Sequence, residues 1–300
     1  MSKTEGGQNR AIEKYLKAIK RKVEVSLRAN LPRDNSRISR AMRYAVLGAG
    51  KRLRPILFIA AFEGLGGRLN KAVMRIACAI EFIHAFSLIQ DDLPAMDNDD
   101  YRRGKLTVHK AFREDVALLA SDALLNEAYR IVLEDSFSDA RLKTAVTCEL
   151  IRAVKMLLLG QEKDLWLSRT ERPGLVQLNK IYLLKTAALL RVCVRIAGIV
   201  RRVKSGQLRW MDSFGQKLGL AFQIQDDILN ITADVKVLRG KKFSDRRKGK
   251  VTYASIAGGE KSKEIVSRLI RDAKKDLEKL TRMDKERLYA VCDTILQRKY

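Results

Sequence analysis

Histidine, proline and cysteine are all scarce in this 300-residue chain, at 2, 4 and 4 copies. The cysteines, Cys78, Cys148, Cys193 and Cys292, stand far apart with no CxxC pair. That excludes a zinc ribbon and a disulfide-stapled scaffold, and the four read as buried reduced thiols of a cytoplasmic protein. So few prolines, beside 46% hydrophobic residues, exclude collagen-like, mucin-like and disordered chains. No ten consecutive residues lack a charge, so no membrane-spanning helix is expected. The polar start, Met1 to Arg10, lacks an apolar signal core, and nothing there marks the chain for export. A GxxxxGK[ST] loop is missing, as is a GxGxxG opening after a strand, which argues against ATP and NAD folds.

Acidic residues are few beside basic ones, 35 against 60, for a net charge of +25. Such a balance favours polyanions: nucleic acid, an anionic membrane surface or small phosphorylated ligands. The basic residues are scattered along the chain, so most of them read as a solvated surface.

Helical periodicity dominates. Ala11, Ile12, Tyr15, Leu16 and Ile19 mark a first amphipathic helix ending near Leu31-Pro32. Ser36 suits an N-cap for a second helix running to Gly48, and Pro55 suits the first turn of a third that stops in Gly64-Leu65-Gly66-Gly67. A long apolar helix follows from about Asn70 to Asp92, ended by Pro94. Further helices fit Glu114–Glu134, Phe137–Leu159, Gly174–Arg202 and Gly206–Asn230, with a basic loop over 232–250 and shorter helices after it. No linker rich in Pro, Gly or Ser interrupts residues 1–300. The expectation is a single all-α domain, a helical bundle.

One internal echo stands out. Phe86-Ser87-Leu88-Ile89-Gln90-Asp91-Asp92 parallels Ala221-Phe222-Gln223-Ile224-Gln225-Asp226-Asp227. An Asp pair at a helix C-terminus meets the negative end of the macrodipole, and adjacent carboxylates repel. Once, this is a solvated helix end. Twice, after the same apolar run, it calls for a cation. Asp91, Asp92 and Asp97 form one set of hard oxygen donors, with Asp226 and Asp227 the other, and Mg²⁺ takes such carboxylates together with phosphate oxygens and water. Lys51, Arg52 and Arg54 follow Gly48-Ala49-Gly50, Arg102 and Arg103 follow the first acidic set, and Lys185, Lys241 and Lys250 flank the second. Carboxylates for a metal beside Arg and Lys for free oxygens describe a diphosphate pocket.

These residues resemble those of the trans-isoprenyl diphosphate synthases, most closely the bacterial short-chain farnesyl and geranylgeranyl diphosphate synthases. Gly50-Lys51-Arg52-Leu53-Arg54-Pro55 is similar to the family's GKRLRP, and Asp91-Asp92 with Asp97 to its first Asp-rich motif. Lys185-Thr186 and Phe222-Gln223-Ile224-Gln225-Asp226-Asp227 match two more motifs, and Gly240-Lys241 to Tyr253 the basic loop after them. The resemblance implies an isoprenoid-synthase-type bundle around a central cavity. It implies head-to-tail joining of isopentenyl diphosphate to an allylic diphosphate (dimethylallyl, geranyl or farnesyl) in a homodimer, with no nucleic-acid partner. Asp91, Asp92 and Asp97 would hold two Mg²⁺ ions on the allylic diphosphate, and Asp226 with Asp227 a third. Arg102, Lys185, Lys241 and the basic loop to Lys250 would bind the same group. Lys51, Arg54, His84 and Arg103 would bind isopentenyl diphosphate, and Lys185, Thr186 and Gln223 would face the allylic cation. Phe86 and Ser87, just upstream of the first Asp pair, would floor the cavity and favour a C15 product over C20.

Asn230, Ala187, Ala49 and Phe243 depart from the family's usual residues, and Asn230, standing for the last Asp of the second motif, supports an alternative reading as a catalytically impaired, prenyl-diphosphate-binding or regulatory subunit. Singly, other features have plainer meanings. A histidine on an apolar helix is more often a hydrogen-bonded core residue than a ligand contact. Trp166 and Trp210 read as core or interface residues, and Gln161 and Asp164 as second-rank site candidates.

Overall fold

The computed structural model describes residues 3–134, 139–167, 174–232 and 251–296, with the backbone alone at 3–9 and 230–232. Its helices are α1 (Lys3–Asn30), α2 (Arg37–Leu47), α3 (Leu53–Gly64), α4 (Lys71–Asp92), α5 (Val108–Phe112), α6 (Glu114–Leu133), α7 (Ala140–Leu167), α8 (Leu175–Tyr182), α9 (Ala188–Val200), α10 (Ser205–Thr232), α11 (Tyr253–Ala257), α12 (Gly259–Glu278) and α13 (Glu286–Leu296). Ser36 caps α2 by accepting from the Ser39 N–H at 3.1 Å, and Asn70 caps α4 by accepting from that of Val73 at 2.9 Å.

Helix α4 is the axis of the molecule. Ile76 to Ile83 is buried without a break, because the sequence here is apolar on every face rather than on one stripe. By length and mean hydropathy (1.7) this helix is apolar enough to cross a membrane, contrary to the sequence-based expectation. Its window is nevertheless 72% buried against the protein's own helices, so its apolar faces are spent on the core. Helix α6 packs along α4, α9 against α3 and α10, and α12 against α10. Helix α12 shows the opposite pattern, burying Val266, Ile270, Ala273 and Leu277 at helical spacing under a charged outer face. The buried cluster is continuous from Ile19 to Ile295.

Two local features escape helical periodicity. Tyr101–Arg102 (β1) pairs antiparallel with Lys105–Leu106 (β2) across a two-residue turn. Both turn residues have positive φ, 53° at Arg103 and 77° at Gly104, as a type I′ hairpin turn requires. The expected continuous helix from Gly174 to Arg202 is instead divided by a π turn at Leu183–Ala187, between α8 and α9.

Candidate active site

The two acidic helix ends lie within reach of one another. The Lys185 ammonium is 2.8 Å from Asp164 Oδ2 on α7 and 4.0 Å from Asp91 Oδ2 on α4. Lys185 in turn shares a small pocket with Thr186, Gln223, Asp226 and Asp227. Asp97 is brought back to Asp91 by the turn after α4, where its N–H donates to the Asp91 carbonyl at 2.9 Å.

A π turn adds a residue to the helical circuit and breaks the regular i→i−4 ladder, a distortion frequent at functional sites. Here it carries Lys185 and Thr186, and two glycines make room for it. A Cβ on Gly160 of α7 would stand 2.6 Å from Lys185 N and 2.8 Å from its Cα, and one on Gly219 of α10 would stand 2.6 Å from the Ala187 Cβ. Ala187, where the family pattern has glycine, is thus accommodated by a glycine on the facing helix. Gly160→Ala should push the turn outward and cost about 1–3 kcal/mol by overpacking. It should also lower turnover by moving Lys185 off Asp164. A melting curve and a kcat measured together check this; wild-type values of both would overturn it.

Within each Asp pair the two members do different things. The second member is bound by protein. Asp92, 3% exposed, takes both Nε (2.6 Å) and Nη2 of Arg102. Asp227, also 3% exposed, accepts from the Tyr182 hydroxyl at 2.5 Å, the Tyr253 N–H at 3.0 Å and Gln223 Nε2 at 3.3 Å. Burial pushes the Asp227 carboxyl up to about 6, against these hydrogen bonds, which favour the ionised form. Asp92 and Asp227, both expected among the metal ligands, are held here by protein donors. They anchor the β-hairpin and the start of α11 to the acidic helix ends, because a buried carboxylate is costly without such donors. Arg102 follows suit, acting first as the partner of Asp92. Asp91 and Asp226 are the partly exposed members.

Beside this acidic pocket lies a cavity of about 690 Å³ between α1, α3, α4, α10 and α13. Lys51, Arg54, His84 and Arg103 line it together with Phe222, and so does Asp226, which belongs to both cavities. Arg54 Nη1 is 3.2 Å from His84 Nε2. Arginine can only donate, so Nε2 accepts and the ring proton sits on Nδ1. Burial, then Arg54, Arg103, Arg102 and Arg52, hold His84 well below its ordinary pKa, and the ring is neutral. Arg103 is lowered by burial and by the like charges of Arg102, Arg52 and Arg54. Crowded cations that repel one another make a site that gains from an anion. Arg52 has a separate duty: 5% exposed, it pairs with Glu81 at 2.8 Å and donates to the Gly48 carbonyl at 2.9 Å, fixing the turn that presents Lys51 and Arg54.

The structure thus gathers Asp91, Asp226, Lys185, Thr186 and Gln223 on one side and Lys51, Arg54, His84 and Arg103 on the other. Thr186 Oγ1 donates to Gln223 Oε1 at 2.6 Å. Ser87 is partly buried and donates to the His84 carbonyl at 3.0 Å, while Phe86 is 2% exposed within the core. Lys241 and Lys250 lie outside the described residues, as do Phe243 and the tail Arg298-Lys299; Asn230 is described by its backbone alone. Trp166 is 69% exposed, so it is no core residue. Sequence reasoning gave no role to Tyr182, Tyr253, Glu81 or the two packing glycines, because their parts depend on contacts with distant segments.

Among the described residues no three His, Cys, Asp or Glu side chains come together as a ready metal cage. The donor set is instead two hard carboxylates at opposed helix ends, with Asp164 nearby and a lysine between them. That suits Mg²⁺, which keeps few protein ligands and completes its shell with phosphate oxygens and water.

The family model for polyprenyl synthetases matches residues 35–287. The chain is 43% identical over 245 residues to geranylgeranyl pyrophosphate synthase 4 of Arabidopsis thaliana, covering 80% of this chain and 65% of that relative, so it spans less than two thirds of the relative's length. An FPP/GFPP synthase of Zymomonas mobilis superposes with a TM-score of 0.84 at 30% identity, covering 96% of this chain and 99% of the other. A geranyltransferase of Helicobacter pylori, solved with magnesium and isoprenyl diphosphate, does so with a TM-score of 0.85 at 26% identity, covering 95% and 97%. With the all-α architecture of those enzymes and both acidic helix ends in place, the chain belongs to the polyprenyl synthetase family.

Proposed function

We propose that the protein joins isopentenyl diphosphate head to tail with an allylic diphosphate, releasing diphosphate. The observation that carries this reading is Asp226, shared between a cavity walled by Lys51, Arg54, His84 and Arg103 and a pocket holding Lys185, Thr186 and Gln223. Two diphosphates would thereby sit side by side with their reacting carbons between them, which converts a bimolecular encounter into a positioned one. The arginines and Lys51 hold isopentenyl diphosphate without metal, and neutral His84 adds an Nδ1 donor without adding to the repulsion. Lys185 neutralises oxygens of the allylic group as its C–O bond breaks. Asp91 and Asp226, with Asp97, would hold Mg²⁺, which supplies charge stabilisation to the departing diphosphate. The oxygens of Thr186 and Gln223 and carbonyls of the π turn face the cation left behind. The final proton has a natural acceptor in the departing diphosphate, so no side-chain base is called for.

Purified protein incubated with Mg²⁺, labelled isopentenyl diphosphate and C5, C10 or C15 primers should yield longer alcohols after dephosphorylation; binding of primers without elongation would favour the regulatory-subunit reading. The reading favours C15 as the main product, because a phenyl ring at Phe86, upstream of the first Asp pair, would fill the volume of a further prenyl unit; the Arabidopsis relative's name points to C20 as the competing outcome. Phe86→Ala should lengthen the main product by about one five-carbon unit, and an unchanged product would place the floor elsewhere. A homodimer fits the exposed Leu118, Leu119, Ile151 and Leu158 on the packed pair α6 and α7, and light scattering at twice the chain's mass would support it. Its unbridged thiols suit a reducing compartment such as the cytoplasm.

A further inference from the structure

Helix α4 carries Asp91 and Asp92 at one end and begins at Lys71 on the other, about 33 Å away for its 22 residues. Helix α10 likewise begins at Ser205 on that far end. Three short loops meet there. The Arg201 Nε after α9 donates to the Leu65 carbonyl after α3 at 3.2 Å, the Asp284 N–H between α12 and α13 donates to the Gly64 carbonyl at 2.8 Å, and the Gln207 amide binds Thr281.

These loops and the adjoining starts of α4 and α10 present Arg68, Lys71, Arg201, Lys204, Arg209 and Arg282, all exposed. None of the six forms an ion pair among the described residues. Of the described carboxylates nearby, Asp139 pairs with Arg202 and Asp284 with Arg287.

The backbone underlines the point. Helix α3 ends in a Schellman turn with Gly66 at φ 77°, where the Gly67 N–H reaches the Phe62 carbonyl at 3.0 Å. Helix α9 ends in the same turn, the Val203 N–H reaching the Gly198 carbonyl at 3.0 Å, yet the left-handed position is Arg202 at φ 54°. Arg282 is left-handed as well, at φ 56°. Arginine thus stands at two left-handed positions of this end where glycine would be relaxed, Arg202 paired with Asp139 and Arg282 exposed.

We propose that this basic pole docks the protein on an anionic phospholipid surface. Among the described residues only helix ends and loops reach the pole, and none of their helices lies along it to enter a nucleic-acid groove. Trp210, the aromatic described at this end, has the Lys279 ammonium 3.6 Å from its ring centroid, so one face is already taken and a lone ring makes no stacking platform. Arginine-rich loops suit lipid phosphates. The choice of lipid also rests on the proposed activity, whose product is an anionic head on a long apolar tail that the next, tail-handling reaction must meet in or beside a lipid phase.

Co-sedimentation with vesicles tests this at low and physiological salt. The wild type should bind phosphatidylserine/phosphatidylcholine vesicles at least ~10-fold more tightly than phosphatidylcholine alone. The triple variant Arg68→Glu/Lys204→Glu/Arg209→Glu should lose that preference. The control Lys261→Glu/Arg268→Glu/Arg271→Glu, on the outer face of α12 and of equal net charge, should keep it. Equal binding to both vesicles, equal loss in both triples, or tighter pole-dependent binding to duplex DNA or an RNA hairpin would each overturn the proposal. Both triples should condense a soluble C10 primer at the wild-type rate. Pole-dependent binding by a wild type that makes no product would refute the activity and leave the docking intact.

Discussion

Asp226→Ala should leave the melting temperature near that of the wild type and lower turnover by at least ~100-fold, while Asp227→Ala should do nearly the reverse to stability. The two residues are adjacent, so the contrast isolates what each carboxylate faces. Asp226 lines both cavities, and removing it takes away an oxygen donor where two diphosphates and a cation would converge. Its side chain is only partly buried, so its removal opens little space in the core. Asp227 is the common acceptor for the Tyr182 hydroxyl, the Tyr253 N–H and the Gln223 amide. Its loss strands buried donors at about 1–3 kcal/mol each. The measurements are a thermal melt and kcat over a Mg²⁺ series for both variants. An Asp226→Ala protein with near-wild-type turnover would remove the second acidic helix end from the mechanism. An Asp227→Ala protein as stable as the wild type would remove the anchoring role argued for it.

That division of labour within each Asp pair was not legible in the sequence. The echo of Ile-Gln-Asp-Asp told that both helix ends need compensation, and the structure shows two kinds of it. Asp91 and Asp226 look into the site; Asp92 and Asp227 are neutralised by Arg102 and by hydrogen-bond donors from Tyr182 and Tyr253. Their partners lie 10, 45 and 26 residues away, in segments whose own patterns reveal nothing of the contact. The helices themselves were readable, because apolar residues at three- and four-residue steps mark a buried face whatever it packs against. Helix α4 was readable as a long apolar helix for a different reason, since its apolar residues run round every face. The π turn was not, since one extra residue in the 29-residue stretch from Gly174 to Arg202 hardly disturbs its periodicity. Gly160 and Gly219 look like ordinary helix glycines until the backbone of Lys185 and the methyl of Ala187 are found against them. The hairpin at Tyr101–Leu106 is too short for strand alternation to register.

The consecutive arginines of that hairpin yield the second large contrast. Arg102 and Arg103 have the same charge and opposite electrostatic situations. Burial works to lower Arg102, but Asp92, Asp91 and Asp99 outweigh it and raise its pKa; Arg103 is lowered by burial and by its fellow cations. Arg102→Met should destabilise the fold by about 3–5 kcal/mol, because it takes the two-pronged guanidinium away from the buried Asp92 carboxylate. Arg103→Gly should be neutral or stabilise by up to about 1 kcal/mol, since glycine is relaxed at the positive φ that the turn imposes. It should nonetheless raise the KM for isopentenyl diphosphate by roughly 10–100-fold, the loss of a charge-assisted contact. Urea unfolding and steady-state kinetics on the two variants decide the matter. If Arg103→Gly destabilised the protein, or left the KM untouched, then its strained conformation would serve the hairpin and not the substrate, and the cavity it lines would need another occupant.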